Sequence, residues 1–264
     1  MSAYKSFAVV GAGTLGLPVL NALAAAQDVS VILLSRPGST TKTVSSGVEV
    51  IPVDFADAAA VAAVLKKKSL VDAAKLAAVK LFVPSEYGLP TEGHTDGPLG
   101  AKNQIAVYLK SSGIPSTRIF IGAFPEFIPW LVNYSPGGKF SIVGKGETPV
   151  SFTSIPDIAG FVAYVLTTLP PSELEDRILR LEGDRSNLKD IAAQFKASVE
   201  HVDSIAGEMG EFKTSLQHAT NTGAGSTGWD PVKKAEGTGS NAAGSANALW
   251  PGHQWQSIKE VHNL

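Results

Sequence analysis

A strand that runs into G-x-G-x-x-G and straight on into a helix admits few folds. The segment "SFAVVGAGTLG" does this near the start of the chain, with Gly11, Gly13 and Gly16 at the glycine positions and Thr14 and Leu15 between the last two. Gly11 allows the tight turn, Gly13 lets a pyrophosphate approach the backbone, and Gly16 lets the helix pack closely. The free N–H groups of the helix start then face the phosphates. The bare motif is weak; between a strand and a helix it points to a dinucleotide site.

The rest of the first half fits that start. Apolar strands are expected at 6–11, 29–35, 48–54, 80–85 and 116–122, and helices at 14–26 and 98–112. Short continuous apolar strands separated by helices signal a parallel sheet covered on both faces. The expected fold is α/β: a Rossmann-type doubly wound parallel sheet with a smaller C-terminal α+β substrate domain. The boundary is placed at Ala123, giving a nucleotide domain over 1–123 and a substrate region over 124–264, with 150–182 packing back onto the first. In the second region the sequence suggests a hairpin near 139–143 and 147–153, a helix over 156–168, a strand over 177–182 and a helix capped by Ser186. The stretch 221–248 is low in complexity and reads as a functional or mobile loop.

The end of the second strand selects the cofactor. An NAD site wants a carboxylate there for the ribose 2′-hydroxyl. Here Ser35 and Arg36 stand in that place, with Lys42 close behind. Arg36 offers a planar fork to a 2′-phosphate, so NADP(H) is the expected cofactor.

Composition excludes several other classes. Net charge is −2, from 22 basic against 24 acidic residues, so no nucleic-acid footprint is visible. The chain has no cysteine, which removes disulfides, thiolate catalysis and cysteine metal sites, and no metal is expected. No apolar run reaches the roughly 18 residues of a membrane span. Met1 leads almost directly into the first strand without a targeting pattern, so the chain is read as cytoplasmic.

The segments "VVGAGTLG", "SR" after the second strand, "KLFVPSEYG", "AKNQIAVYLKSSGIPSTRIFIGAF", "PVSFTSIPDIAGFVAYVLTTLP" and "GSANALWPGHQWQSIKEV" resemble the NmrA-like group and its isoflavone reductase-like relatives, atypical short-chain dehydrogenases/reductases. The resemblance spans nearly the whole chain and is nearest to fungal NmrA-like proteins. It implies a nucleotide domain, a substrate domain and a cleft between them. It also implies a lysine at the start of the helix after the PSE(F/Y)G loop as the proton-handling group, and Lys102 matches it. The short-chain pair Tyr-x-x-x-Lys is absent. Independently, Lys102 lies early in a helix, at spacings of 3, 4 and 7 from Ile105, Ala106 and Leu109. An ammonium on such a stripe loses hydration, and its pKa falls towards what a general base or proton donor needs. The bland reading is a lysine snorkelling off its helix. Ser85, Glu86 and Tyr87 sit at a strand's C-terminal end, where α/β sheets place ligands. Phe124, Pro125 and Phe127 are expected to line the nicotinamide or substrate side.

The resemblance also exposes a gap. Family members carry another strand between the third strand and "KLFVPS", whereas here a helical run from Phe55 to Lys80 passes straight through. About fifteen to twenty residues, a strand with its connections, are missing near Lys66 to Ser69. An unfilled slot would leave interior backbone groups unpaired at about 1–3 kcal/mol each, so "KLFVPS" is expected to move in and close it, with Phe82 or Val83 forming a ladder with Phe7–Val10. If the two strands instead lie about 10 Å apart, twice the spacing of neighbours, the chain reads as a truncated gene model rather than a working variant. Two functional readings therefore stay open beside a chain that does neither. One is an NADPH-dependent reductase of a small aromatic or phenylpropanoid-like substrate. The other is a non-catalytic NAD(P)-binding redox sensor with a regulatory protein partner.

Overall fold

The computed structural model describes residues 2, 4–39, 44–53 and 70–264. Its first elements are β1 (Ser6–Val10), α1 (Gly16–Ala24), β2 (Ser30–Ser35) and β3 (Glu49–Pro52). After the helices α2 (Leu70–Leu76) and α3 (Gly97–Ser111) come β4 (Thr117–Phe120) and the short helix α4 (Ile128–Leu131). The chain continues through β5 (Lys139–Val143), β6 (Val150–Phe152), α5 (Ile155–Thr168), β7 (Arg177–Arg180), β8 (Asp184–Ser186) and α6 (Leu188–Gln194). It ends with β9 (Ser198–Val202), α7 (Gly210–Ala219), the hairpin β10 (Trp229–Asp230) and β11 (Ala235–Glu236), and α8 (Ile258–His262). These elements form two compact units. The first comprises Met1–Ser85, Ala101–Arg118 and Ile158–Ile178; the second comprises Glu86–Gly100, Ile119–Asp157 and Leu179–Leu264.

In the first unit β1, β2 and β3 form a parallel sheet, with Phe7 opposite Val31 and Leu33 opposite Val50. β2 is the most buried of the three, and Leu33 and Leu34 are fully buried. Helix α2 uses two faces. Ala73 packs with Leu34 and Val53, while Val71 and Ala74 meet Leu109 and Ile114.

The expected closure of the sheet does not occur among the described residues. β1 pairs with β2 and with no other strand. Phe82 instead bridges Ser116: its N–H donates to the Pro115 carbonyl at 2.9 Å, and its own carbonyl accepts from Thr117 N–H at 3.0 Å. Phe82 and Val79 also pack against the Leu109–Ile114 cluster, which holds the segment on the β4 side. The expectation rested on the cost of leaving backbone groups unpaired in an interior. That cost is smaller here, because β1 alternates exposed and half-buried residues and Val10 is 41 % exposed. An edge in contact with water does not lose its hydrogen bonds outright. The Phe55–Ser69 part of the helical run lies outside the described residues.

The second unit corrects two further expectations. β5 and β6 do not pair as a hairpin. β5 lies parallel to β9, with Ser141 opposite Glu200, and β6 runs antiparallel to β8. Both strands are largely buried, and Pro149 before β6 has no N–H to give to a hairpin ladder. The cap of α6 is Asn187 rather than Ser186: its side chain accepts from Asp190 N–H at 2.8 Å. The core gathers Phe140, Ile142, Val150 and Phe152 around Ile191 and Ile258.

The low-complexity stretch is tied down. Arg185 pairs with Glu236 at 2.6 Å and with Glu182 at 3.0 Å. Ser226 Oγ donates to Glu236 at 2.9 Å, and Thr227 N–H donates to Ser151 Oγ at 3.0 Å. Its glycines reflect close packing rather than slack: a Cβ on Gly223, whose φ is +100°, would stand 2.4 Å from the Trp229 ring. Trp250 stacks on His253 with ring centres 3.6 Å apart, and His253 Nε2 meets Asp157 Oδ1 at 2.8 Å. Those two tryptophans pack within the C-terminal region.

Candidate functional site: a dinucleotide loop and an aromatic wall

In the first unit the geometry starts at the end of β1. Gly11 adopts φ +84°, a conformation other residues rarely take, and its N–H donates to the Leu34 carbonyl at 2.9 Å. This bond sets the loop beside the end of β2, so the structure brings Gly11, Ser35 and Arg36 together. A Cβ on Gly13 would meet nothing within 4 Å, so an approaching ligand finds room. A Cβ on Gly16 would stand 2.2 Å from the Gly11 carbonyl oxygen. The third glycine is therefore needed for the loop to fold back on itself. Leu15 takes the cap position of α1 and no side chain caps the helix start. Its first N–H groups can thus turn to an anion, where the helix dipole favours negative charge. Thr14 lies in the turn between Gly13 and Leu15.

Gly16→Ala is expected to cost about 1–3 kcal/mol of stability, the scale of an overpacked contact, and to weaken dinucleotide binding with it. Denaturant unfolding and NADPH titration check this. Unchanged values in both would show that the loop can open around a methyl group.

Arg36 follows β2 directly. Ser39 N–H donates to the Arg36 carbonyl at 3.1 Å, and Gly38 has φ +70°. Pro37 and Gly38 thus occupy the central positions of a type II turn, which fixes where the arginine leaves the strand. Arg36 is exposed and has no ion-pair partner among the described residues. Ser35 is buried, and its carbonyl accepts from Val53 N–H at 2.7 Å, so its backbone is engaged in the sheet. Lys42 lies outside the described residues.

Lys102 lies in the second turn of α3 and is half-buried. The apolar stripe expected beneath it is real in part. Ala106 and Leu109 are buried, but Ile105 is 44 % exposed and faces water. Because α3 begins at Gly97, Lys102 also stands beyond the first turn, where the dipole acts most strongly.

Ser85, at the end of the Phe82 segment, is exposed. Glu86 and Tyr87 open the second unit. Glu86 is fully buried and accepts from Thr91 Oγ1 at 3.0 Å, which makes it a brace for its own loop. Tyr87 adopts φ +22°, an unfavourable value for a residue with a side chain, and burial pushes its phenol well above the ordinary range. Such a phenol stays protonated at neutral pH and can donate. The loop is anchored at Gly88, whose carbonyl accepts from Ile121 N–H at 3.0 Å and Gly122 N–H at 3.1 Å.

Phe124 begins a wall of rings in the second unit. It meets Phe127 at 5.6 Å, Phe127 meets Trp130 at 6.4 Å, and Trp130 meets Phe212 of α7 at 6.3 Å. Phe127 and Phe212 are 40 % and 46 % exposed. The sequence marked the first half of this wall through its run of aromatics and prolines. It gave no sign of Phe212 or of helix α7. The inward positions of α7 are Gly210, Lys213 and Gln217, so its buried face carries none of the apolar periodicity that announces a helix.

A parallel sheet whose first strand delivers G-x-G-x-x-G to the start of a helix defines a Rossmann-type dinucleotide-binding fold. Solved structures share the architecture. The NADPH-dependent quinone oxidoreductase QOR2 from Escherichia coli matches with a TM-score of 0.76 at 19 % identity, over 97 % of this chain and 98 % of that one. AtPrR2 with NADP+ and (+)pinoresinol matches with a TM-score of 0.72 at 18 % identity, over 99 % and 98 %. Oxidoreductase BOA1 from Botryotinia fuckeliana is 24 % identical over 250 residues, covering 81 % of this chain and 78 % of that protein. The NmrA-like family model matches residues 64–207, more than half of the chain, and the chain belongs to the NmrA-like family.

Proposed function

We propose that this protein is an NADPH-dependent reductase of a small aromatic substrate. The observation that carries the reading is the Gly11–Gly16 loop held beside Arg36 at the end of β2. The loop offers backbone N–H groups to a pyrophosphate, and the exposed Arg36 guanidinium offers a fork to a 2′-phosphate. NADPH, when bound, supplies the hydride. Lys102 gives or takes the matching proton at Nζ, with Ala106 and Leu109 restricting water around its stem. Tyr87 shapes the loop and donates from a phenol that does not ionise near neutrality. Phe124, Phe127 and Trp130 receive the substrate ring by edge contacts, a geometry that aromatic pairs favour. The relatives add support: BOA1 is named an oxidoreductase, and leucoanthocyanidin reductase from Vitis vinifera was solved as its complex with NADPH.

A second reading, dinucleotide binding without turnover and recognition by a protein partner, is favoured by one observation. Among the described residues β1, the strand from which the loop springs, has one edge unpaired. Titration with NADPH, followed by its fluorescence, separates the readings. Binding with oxidation of NADPH over a panel of aromatic enones and ethers is expected. Binding with no turnover over the panel supports the sensor, and no binding at high micromolar concentration eliminates both. The transcript around codons 66–69 bears on the gap itself. Extra codons for a strand at that point would identify this chain as the shortened product of a longer reading frame.

A further inference from the structure

The aromatic wall ends on a charge with no counter-ion among the described residues. Lys213, on the inward face of α7, is 5 % exposed. Its Nζ donates to Asn133 Oδ1 at 2.7 Å and stands 5.1 Å from the centre of the Trp130 ring. No carboxylate of the described residues pairs with it. Glu208 and Glu211, its neighbours in sequence, are exposed.

An ammonium taken out of water loses several kcal/mol of hydration unless it is paired. A neutral amide oxygen and one indole face return part of this. Nζ carries three donors, and a single hydrogen bond is present. The site therefore keeps an excess of positive potential beside Trp130, whose ring also meets Phe127 and Phe212. What completes such a site is a ring bearing one negative charge.

We propose that Lys213 is a substrate-recognition residue, and that the second unit takes a small aromatic anion, a ring with a carboxylate or phenolate oxygen. The ring lies on Phe127, Trp130 and Phe212, and the anionic oxygen accepts from Nζ. The inference rests on the proposal that these rings receive the substrate, and it narrows the class. A purely mechanical role for Lys213 also exists. It holds Asn133, which sits at φ +51° and donates from Nδ2 to the Ala206 carbonyl at 2.9 Å. Pinning that turn needs a hydrogen bond. It gives no reason for a ligand's charge to matter.

The test uses the full chain without NADPH and reads quenching of tryptophan fluorescence. Two pairs of probes differ only in charge or nearly so: cinnamate against cinnamamide, and 4-nitrophenolate against nitrobenzene. At least one anion is expected to bind about tenfold or more tighter than its neutral partner, the scale of one charge-assisted hydrogen bond. Which pair discriminates tells a carboxylate from a phenolate. Lys213→Met, which keeps the stem and removes the charge, is expected to abolish the preference while leaving the neutral probes unchanged, and Lys213→Arg to restore it. Equal affinities within both pairs, or no binding of any probe, overturn the inference on the unaltered protein, with no variant required to fold. A preference that survives in a folded Lys213→Met also overturns it. Charge selectivity without NADPH oxidation would count against the reductase alone.

Discussion

Lys102→Ala is expected to lower NADPH-dependent turnover at least about 100-fold, the low end for losing a general acid or base. Affinity for NADPH should hardly change, because the dinucleotide loop is built from Gly11–Gly16 and the end of β2, away in sequence from α3. The size of the effect follows from the task. Hydride transfer leaves charge on the substrate, and a positioned proton donor removes it in the transition state. Lys102→Arg should not rescue activity, because a guanidinium does not release its proton near neutral pH. Turnover of both variants at saturating NADPH is the measurement. An alanine variant that keeps half of the activity would remove Lys102 from the mechanism, and the half-buried lysine would then be one whose stem covers Ala106 and Leu109.

Arg36→Ala is expected to weaken NADPH binding by about 1–3 kcal/mol, which is about 5- to 150-fold in affinity. NADH should bind nearly as before. The difference isolates the 2′-phosphate, the only group that distinguishes the two cofactors. Arg36 is suited to read it: a turn over Pro37 and Gly38 fixes its backbone, and no carboxylate competes for its guanidinium among the described residues. Such a surface contact is screened by salt, so the discrimination should shrink as ionic strength rises. Equal losses for NADPH and NADH would mean that Arg36 supports the loop and does not read the phosphate.

The two variants bear on different risks. The dinucleotide site is local: a strand, a turn and a helix start, each specified by adjacent residues. Proton transfer depends on where α3 is carried by the strand before it. The slot expected to close remains unclosed among the described residues, because Phe82 stays with Ser116 and Thr117. Cofactor binding is therefore expected to tolerate the gap better than catalysis.

The amino-acid sequence by itself determined what depends on neighbours along the chain. It specified the α/β class, the turn at Gly11, the necessity of glycine at position 16 and the arginine after β2. Helix α5 was also legible. In each case a short-range rule decides: a φ that only glycine accepts readily, a Cβ with no space, an apolar run of one period. Tertiary structure alone decided which strands are partners. β5 pairs with a strand some sixty residues later because its buried faces must be covered, and turn chemistry between β5 and β6 carries no information about that. It alone revealed α7, where packing places Lys213 and Gln217 inward and so reverses the pattern by which helices are recognised. The uncompensated ammonium beside Trp130 arises in the same way. A lysine at position 213 is ordinary in the sequence, and it acquires an electrostatic meaning only when folding removes its water and brings it no carboxylate from among the described residues.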